Sequence, residues 1–126
     1  MTLILDAGAF LAVERQHRAT LALLKDNRGL GLVPRTHGGI VGQVWRGGRD
    51  RQVPVARALA ATDVVPLDDV LGRRAGELLT LTGGSDVVDA ALVLLAYDGD
   101  TVLTSDPEDL VELARAADLH LDITRV

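Results

Sequence analysis

The chain reads as an open parallel α/β sheet with helices over both faces. Three observations lead there. Short apolar, strand-like runs alternate with longer amphipathic stretches from one end to the other. Glycines and small polar residues punctuate those stretches where helices must stop and start. Two apolar runs, Leu3-Ile4-Leu5 and Thr101-Val102-Leu103-Thr104, lead into aspartates, Asp6 and Asp106. The length of 126 residues suits a single domain over 1–126, large enough to bury one core.

In chain order, the first strand is expected over 2–5, followed by helical stretches over 8–14 and 16–26, the second closed by Asn27-Arg28-Gly29. The apolar segment 31–33 is expected as strand two. A helix over 36–47 then ends at Gly47-Gly48, and another covers 53–61. A third strand over 63–66 precedes a helix over 68–81, which Gly83-Gly84-Ser85 breaks. Ser85 is the expected N-cap of a helix over 86–98. The strand over 101–104 is followed by Asp106-Pro107, which reads as an N-cap and a first-turn proline. Glu108 and Asp109 then lie at the positive end of the helix over 108–117. A last strand over 120–124 completes five.

Hydrophobic residues make up 48% of the chain, which excludes a disordered tail. Phe10, Trp45 and Tyr97 are the only aromatics, so Leu, Val, Ala and Ile must build the core. Cysteine is absent, which removes disulfides, thiolate metal sites and cysteine nucleophiles and fits a reducing cytoplasm. The start has no basic segment leading into a long apolar one, so no signal peptide is expected. The apolar run 90–96 is far short of a membrane span of roughly 20 residues. A net charge of −5 argues against a general nucleic-acid coat protein, though not against an enzyme meeting RNA through a local basic strip.

In an open parallel sheet, sites form beyond the carboxyl ends of the strands. Asp6 and Asp106 would emerge there. Asp89 falls early in the helix that feeds the strand over 101–104; that helix runs antiparallel to its strand, so its N-terminus sits at the same edge. Three carboxylates distant in sequence therefore converge in this reading, and an all-carboxylate set suits hard cations such as Mg²⁺ or Mn²⁺. Each residue also has a plainer reading. Asp6 and Asp106 would serve as helix caps, Asp86 as a first-turn acid favoured by the helix dipole, and Asp109 as its partner at the next helix. Asp89, set among Val87, Val88, Ala90, Ala91 and Leu92, is the hardest to explain without a site, because carboxylates are seldom buried unpaired.

Other α/β chemistries are excluded by what is missing. Gly29-Leu30-Gly31 begins like a dinucleotide loop but precedes a strand and ends in Pro34, and no GxxxxGK[ST] or GxSxG occurs. A receiver domain wants paired acids after the first strand and a late lysine, whereas the only lysine is Lys25. A haloacid-type phosphatase wants an acid two residues after the first, where Gly8 stands.

Leu3-Ile4-Leu5-Asp6-Ala7, Asp86-Val87-Val88-Asp89-Ala90 and Thr104-Ser105-Asp106-Pro107-Glu108-Asp109-Leu110 together resemble the PIN-domain family, and most closely the VapC-like toxins of bacterial toxin–antitoxin pairs. The likeness spans nearly the whole chain. It implies a PIN-like α/β fold with a central five-stranded parallel sheet, and a Mg²⁺- or Mn²⁺-dependent endoribonuclease in which Asp6, Asp89 and Asp106 are catalytic and metal-binding. Gln43, Asp86 and Asp109 would be auxiliary. It further implies an RNA substrate, a cognate antitoxin, a homodimer and a cytoplasmic, non-membrane protein. The family usually carries a glutamate where Ile40-Val41-Gly42-Gln43-Val44-Trp45-Arg46 has Gln43. Gln keeps the shape and an oxygen but removes a charge worth about 4 kcal/mol at roughly 4 Å and an effective dielectric near 20. The alternative is thus a PIN-fold binding module with weakened or lost catalysis.

Arg35, Arg46, Arg49, Arg51 and Arg57 form one basic strip, read either as a solvated face or, chiefly through Arg46 and Arg49, as a phosphate contact. Trp45 reads as an interior or interface residue, or as a base-stacking one. His17, His37 and His120 show no ligand spacing and read as satisfied polar residues, with His37 near the carboxyl edge.

Overall fold

The computed structural model describes residues 1–126. Strand β1 (Leu3–Leu5) is followed by α1 (Ala7–Glu14) and α2 (Arg18–Gly29). Next come β2 (Arg35–His37), α3 (Gly38–Val44), a short 3-10 turn over Asp50–Gln52, and α4 (Val53–Ala60). Strand β3 (Asp63–Val65) leads to α5 (Asp69–Thr82) and α6 (Val87–Val93). The chain closes with β4 (Thr101–Thr104), α7 (Pro107–Ala116) and β5 (Asp122–Arg125).

The five strands pair in the order β3-β2-β1-β4-β5, all parallel. Every residue of β1 is buried, as are the last three of β4, and successive strand residues face opposite ways, so both faces of the sheet centre are covered. Helix α1 packs on α2, α3 and α4, while α5, α6 and α7 pack on one another. Right-handed crossovers place these two groups on opposite faces. The expected α/β class, a central five-stranded parallel sheet flanked by helices, is borne out.

The core is aliphatic, as the scarcity of aromatics required: Ile4, Leu5, Ile40, Leu92, Val102, Leu103 and Leu110 are enclosed, with Phe10 the one buried aromatic. The order of the strands reverses between β1 and β4, the switch point at which such sheets open a crevice at their carboxyl edge.

Three expectations need correction. Strand two lies at Arg35–His37, not at 31–33. The apolar stretch before it is a turn, with Gly31 at φ 74° and Leu30 and Val33 exposed. The true strand is polar, and its side chains bond to main-chain carbonyls: Thr36 Oγ1 donates to Leu5 (2.8 Å) and Arg35 Nη1 to Leu95 (3.2 Å). The helix expected over 36–47 begins at Gly38 and stops at Val44, where Gln52 intervenes. Gln52 accepts from the Arg46 and Gly48 amides and donates to the Val44 carbonyl and Glu14. Finally, the N-cap of α6 is Asp86 rather than Ser85, and the helix ends at Val93, not 98.

Candidate functional site

The switch point is floored by Asp6. It follows β1, whose Leu5 pairs with Leu103 of β4, so that Asp6 and Thr104 lie side by side. Asp6 is 8% exposed. Its Oδ1 accepts from the Ala7 amide (2.8 Å) and its Oδ2 from Thr104 Oγ1 (2.6 Å). It therefore caps α1, as its plainer reading held, and is also held by a buried hydroxyl. Thr104 Oγ1 in turn accepts from the Asp106 amide (3.0 Å), which links the two strand-end aspartates through one side chain.

Asp106 occupies the N-cap position of α7 with Pro107 after it, yet its carboxylate makes no capping hydrogen bond. It is exposed, with only Ser105 Oγ at 3.5 Å. Capping thus leaves the carboxylate of Asp106 unexplained. Asp86, by contrast, does cap: its Oδ1 accepts from the Asp89 amide (3.0 Å) at the start of α6.

Asp89 lies in the first turn of α6. It is half-buried, and its carboxyl is pushed up to about 7, first by burial and then by the negative charges of Asp86, Asp6, Asp109 and Asp106. Residues from three distant segments therefore share one electrostatic environment. They are graded from buried Asp6 through half-buried Asp89 to exposed Asp86, Asp106 and Asp109 at the rim. A titrating carboxyl with several like-charged neighbours at a switch point is the signature expected of a functional site. The side chains as they stand do not close a cage, however: no three Asp, Glu or His groups are placed to hold a metal ion. The donor set has the right chemistry for a hard cation, and the repulsion at Asp89 is what a cation would relieve; the grip itself is not preformed.

The remaining sequence candidates are distributed differently. Gln43 lies exposed on α3. Arg46 turns its guanidinium onto the carboxyl end of that helix, donating to the Gly42 (3.1 Å) and Trp45 (2.7 Å) carbonyls. Arg49 is exposed. The basic strip does not hold together as one surface. Arg35 lies at the opposite, amino end of β2, 3.8 Å from Asp63 and stacked over Tyr97 at 5.5 Å. Arg51 pairs with Glu14 (3.6 Å). Arg57 instead joins Lys25 and Arg28 around a cavity of about 610 Å³ between α2 and α4, whose walls include Leu21, Leu24 and Pro54 and no acid. That cavity is separate from the acidic crevice. Trp45 is 39% exposed and lies over Gly48.

Three residues at the site escaped sequence reasoning or were read as incidental. Thr104 was visible only as the last residue of an apolar strand. Arg125, at the carboxyl end of β5, donates to the Ser105 carbonyl (2.8 Å) and to Glu108 (2.6 Å), bracing the loop that carries Asp106. His37 is wholly buried, accepting at Nδ1 from the Gly39 amide (3.0 Å) and donating from Nε2 to the Val88 carbonyl (2.9 Å). A backbone N–H can only donate and a carbonyl only accept, so these partners select the neutral Nε2–H tautomer. Burial holds this ring below the usual imidazole value, against the Val88 bond and the charge of Asp6.

No family model matches the chain, and no curated protein matches it either. Among solved structures, it is similar to a chain of VapBC2 from Rickettsia felis, in a crystal structure of that assembly bound to a DNA fragment from their promoter. The TM-score is 0.70, at 12% identity, over 98% of this chain and 99% of that one. At that identity the likeness is one of fold.

Proposed function

We propose that the chain is a divalent-cation-dependent endoribonuclease, the toxin member of a toxin–antitoxin pair. The observation that carries this reading is Asp89, half-buried at the switch point of the sheet, its carboxyl pushed up to about 7 by burial and then by the charges of Asp86, Asp6, Asp109 and Asp106. The full-length likeness to a chain of VapBC2 supports the class.

Asp6, Asp89 and Asp106 would hold Mg²⁺ or Mn²⁺, with Asp109 and Asp86 at the rim. When bound, such an ion supplies an activated water and stabilises charge on phosphodiester oxygens. The protein's part is mostly arrangement. Asp6 is fixed by Thr104 and the Ala7 amide, so it offers a rigid oxygen floor. Asp106 and Asp109 are exposed and free to turn inward. Asp89 must give up its proton on loading, so cation uptake is favoured as pH rises toward and beyond 7. Arg46 and Arg49 are the candidate phosphate contacts, Arg46 at the cost of its bonds to α3.

Purified protein should cleave RNA with Mg²⁺ or Mn²⁺ and stop when EDTA is added. Asp6→Ala, Asp89→Ala and Asp106→Ala should each remove the activity; variants that cleave as well as the parent would show the ribonuclease to be a contaminant. An antitoxin presenting a basic side chain to the acidic crevice follows from the same charge pattern; a homodimer is what the family resemblance implies. Co-purification with the product of the adjacent reading frame tests the first. Light scattering at micromolar concentration tests the second, and a monomer mass near 13.4 kDa contradicts it.

A second reading, a binding module with weak catalysis, is favoured by the uncharged Gln43 and the open cage. Gln43→Glu should then raise Mn²⁺ affinity and cleavage together; unchanged calorimetric binding counts against that account of the position.

A further inference from the structure

We infer that His37 is a positioning residue that ties the first turn of α6 to the end of β2 and so holds Asp89 in the acidic crevice. The inference rests on the cation-site reading above and assigns to it a residue that never touches the ion.

The geometry is specific to imidazole. His37 ends β2 and caps α3, its Nδ1 accepting from the Gly39 amide (3.0 Å). Its other nitrogen reaches 51 residues along the sequence to the carbonyl of Val88, at 2.9 Å. Val88 is the residue immediately before Asp89 and the second residue of α6. One ring therefore joins two helix starts, accepting at its δ position and donating at its ε position. Gly39 makes this possible, because a Cβ there would come within 2.8 Å of the ring.

The first turn of α6 needs such an anchor. Asp86 and Val87 are exposed and Val88 only half-buried, and enclosed apolar packing begins at Ala90. The same turn carries Asp89 in among the carboxylates of Asp86, Asp6, Asp109 and Asp106. The Asp86 cap holds the turn from within its own helix; the His37 bond fixes it to the sheet. A buried histidine that is merely satisfied would stabilise the fold without serving the crevice, and the two roles can be separated by substitution.

Asparagine at this position keeps an acceptor near Nδ1 and is a favoured N-cap, but is too short to reach Val88. Glutamine places an amide near Nε2 and loses the cap. The test is Mn²⁺ titration calorimetry, thermal melting and amide exchange of α6 on the full chain. His37→Asn gives up buried volume and the Val88 bond, so it should melt below the parent though no lower than His37→Gln; it should exchange faster at Asp89 and Ala90 and bind Mn²⁺ about 10- to 100-fold more weakly, the range seen when outer partners of ligands are removed. His37→Gln should melt at least as low, with Mn²⁺ affinity near the parent's. If His37→Asn keeps the parent affinity, or if affinity in both variants simply follows melting temperature, the positioning role is wrong while the cation site stands. A parent chain that takes up no Mn²⁺ overturns the cation site and this role with it.

Discussion

A carboxyl group that is half-buried and faces four others keeps its proton to about pH 7, whereas the same group in the unfolded chain loses it near 3.8. Between those values the folded state binds the extra proton, so stability falls as pH rises from about 4 to about 7 and is then flat at its lower level. Asp89→Asn removes that loss. Without divalent cations this variant should match the parent below pH 4 and melt higher at pH 8. The gain is on the order of 1 kcal/mol, because solvent screens a group that is only half-buried. Thermal melts across pH decide it, and equal melting at pH 8 would contradict the raised carboxyl that burial and crowding give Asp89. At this scale the sequence showed why Asp89 mattered, an acid in an apolar run. It gave no sign that Asp6 would accept a hydrogen bond from Thr104, because that contact joins residues 98 apart.

The elements that carry these residues meet closely. Gly8, in the first turn of α1, lies against the loop after β4, and a Cβ there would be 2.7 Å from the Ser105 amide nitrogen. Gly8→Ala should therefore displace the loop holding Asp106 and cost about 1–3 kcal/mol, as overpacking does. Chemical denaturation measures it, and a stability equal to the parent's would mean that the loop yields freely. Element order, helix count and the strands at the sheet centre were legible because apolar runs and caps mark them. Strand β2 was not. Arg35, Thr36 and His37 satisfy their side chains on carbonyls of Leu95, Leu5 and Val88, so polarity that normally signals a loop is compatible with burial here. The exposed apolar residues just before it drew the expectation to the wrong segment.

Across the whole molecule, the two edges of the sheet are built for different work. At the amino edge, charges are consumed by structure: Asp100 accepts from the Thr2 (2.9 Å) and Tyr97 (2.8 Å) amides, and Arg35 lies between Asp63 and Tyr97. At the carboxyl edge, Asp106 and Asp109 remain exposed over the buried Asp6, and Arg125 braces the loop that carries Asp106. Strand ends and helix direction alone led to the expectation of Asp6, Asp89 and Asp106 at one edge of the sheet; Asp6 and Asp106 do follow β1 and β4 and Asp89 lies in the first turn of α6, but no three of the acids close a metal cage. The dispersal of the arginines was not legible, since a strip in sequence crosses from one edge of the sheet to the other in space. No helix is long and apolar enough to cross a membrane, in line with the short apolar runs. Paramagnetic titration of the ¹⁵N-labelled chain with Mn²⁺ tests the central claim most directly. Amides of Asp6, Asp89, Asp106 and Asp109 should broaden first and together, and recover with EDTA; broadening scattered over Asp63, Asp98 and other surface acids, or none at millimolar Mn²⁺, would contradict it.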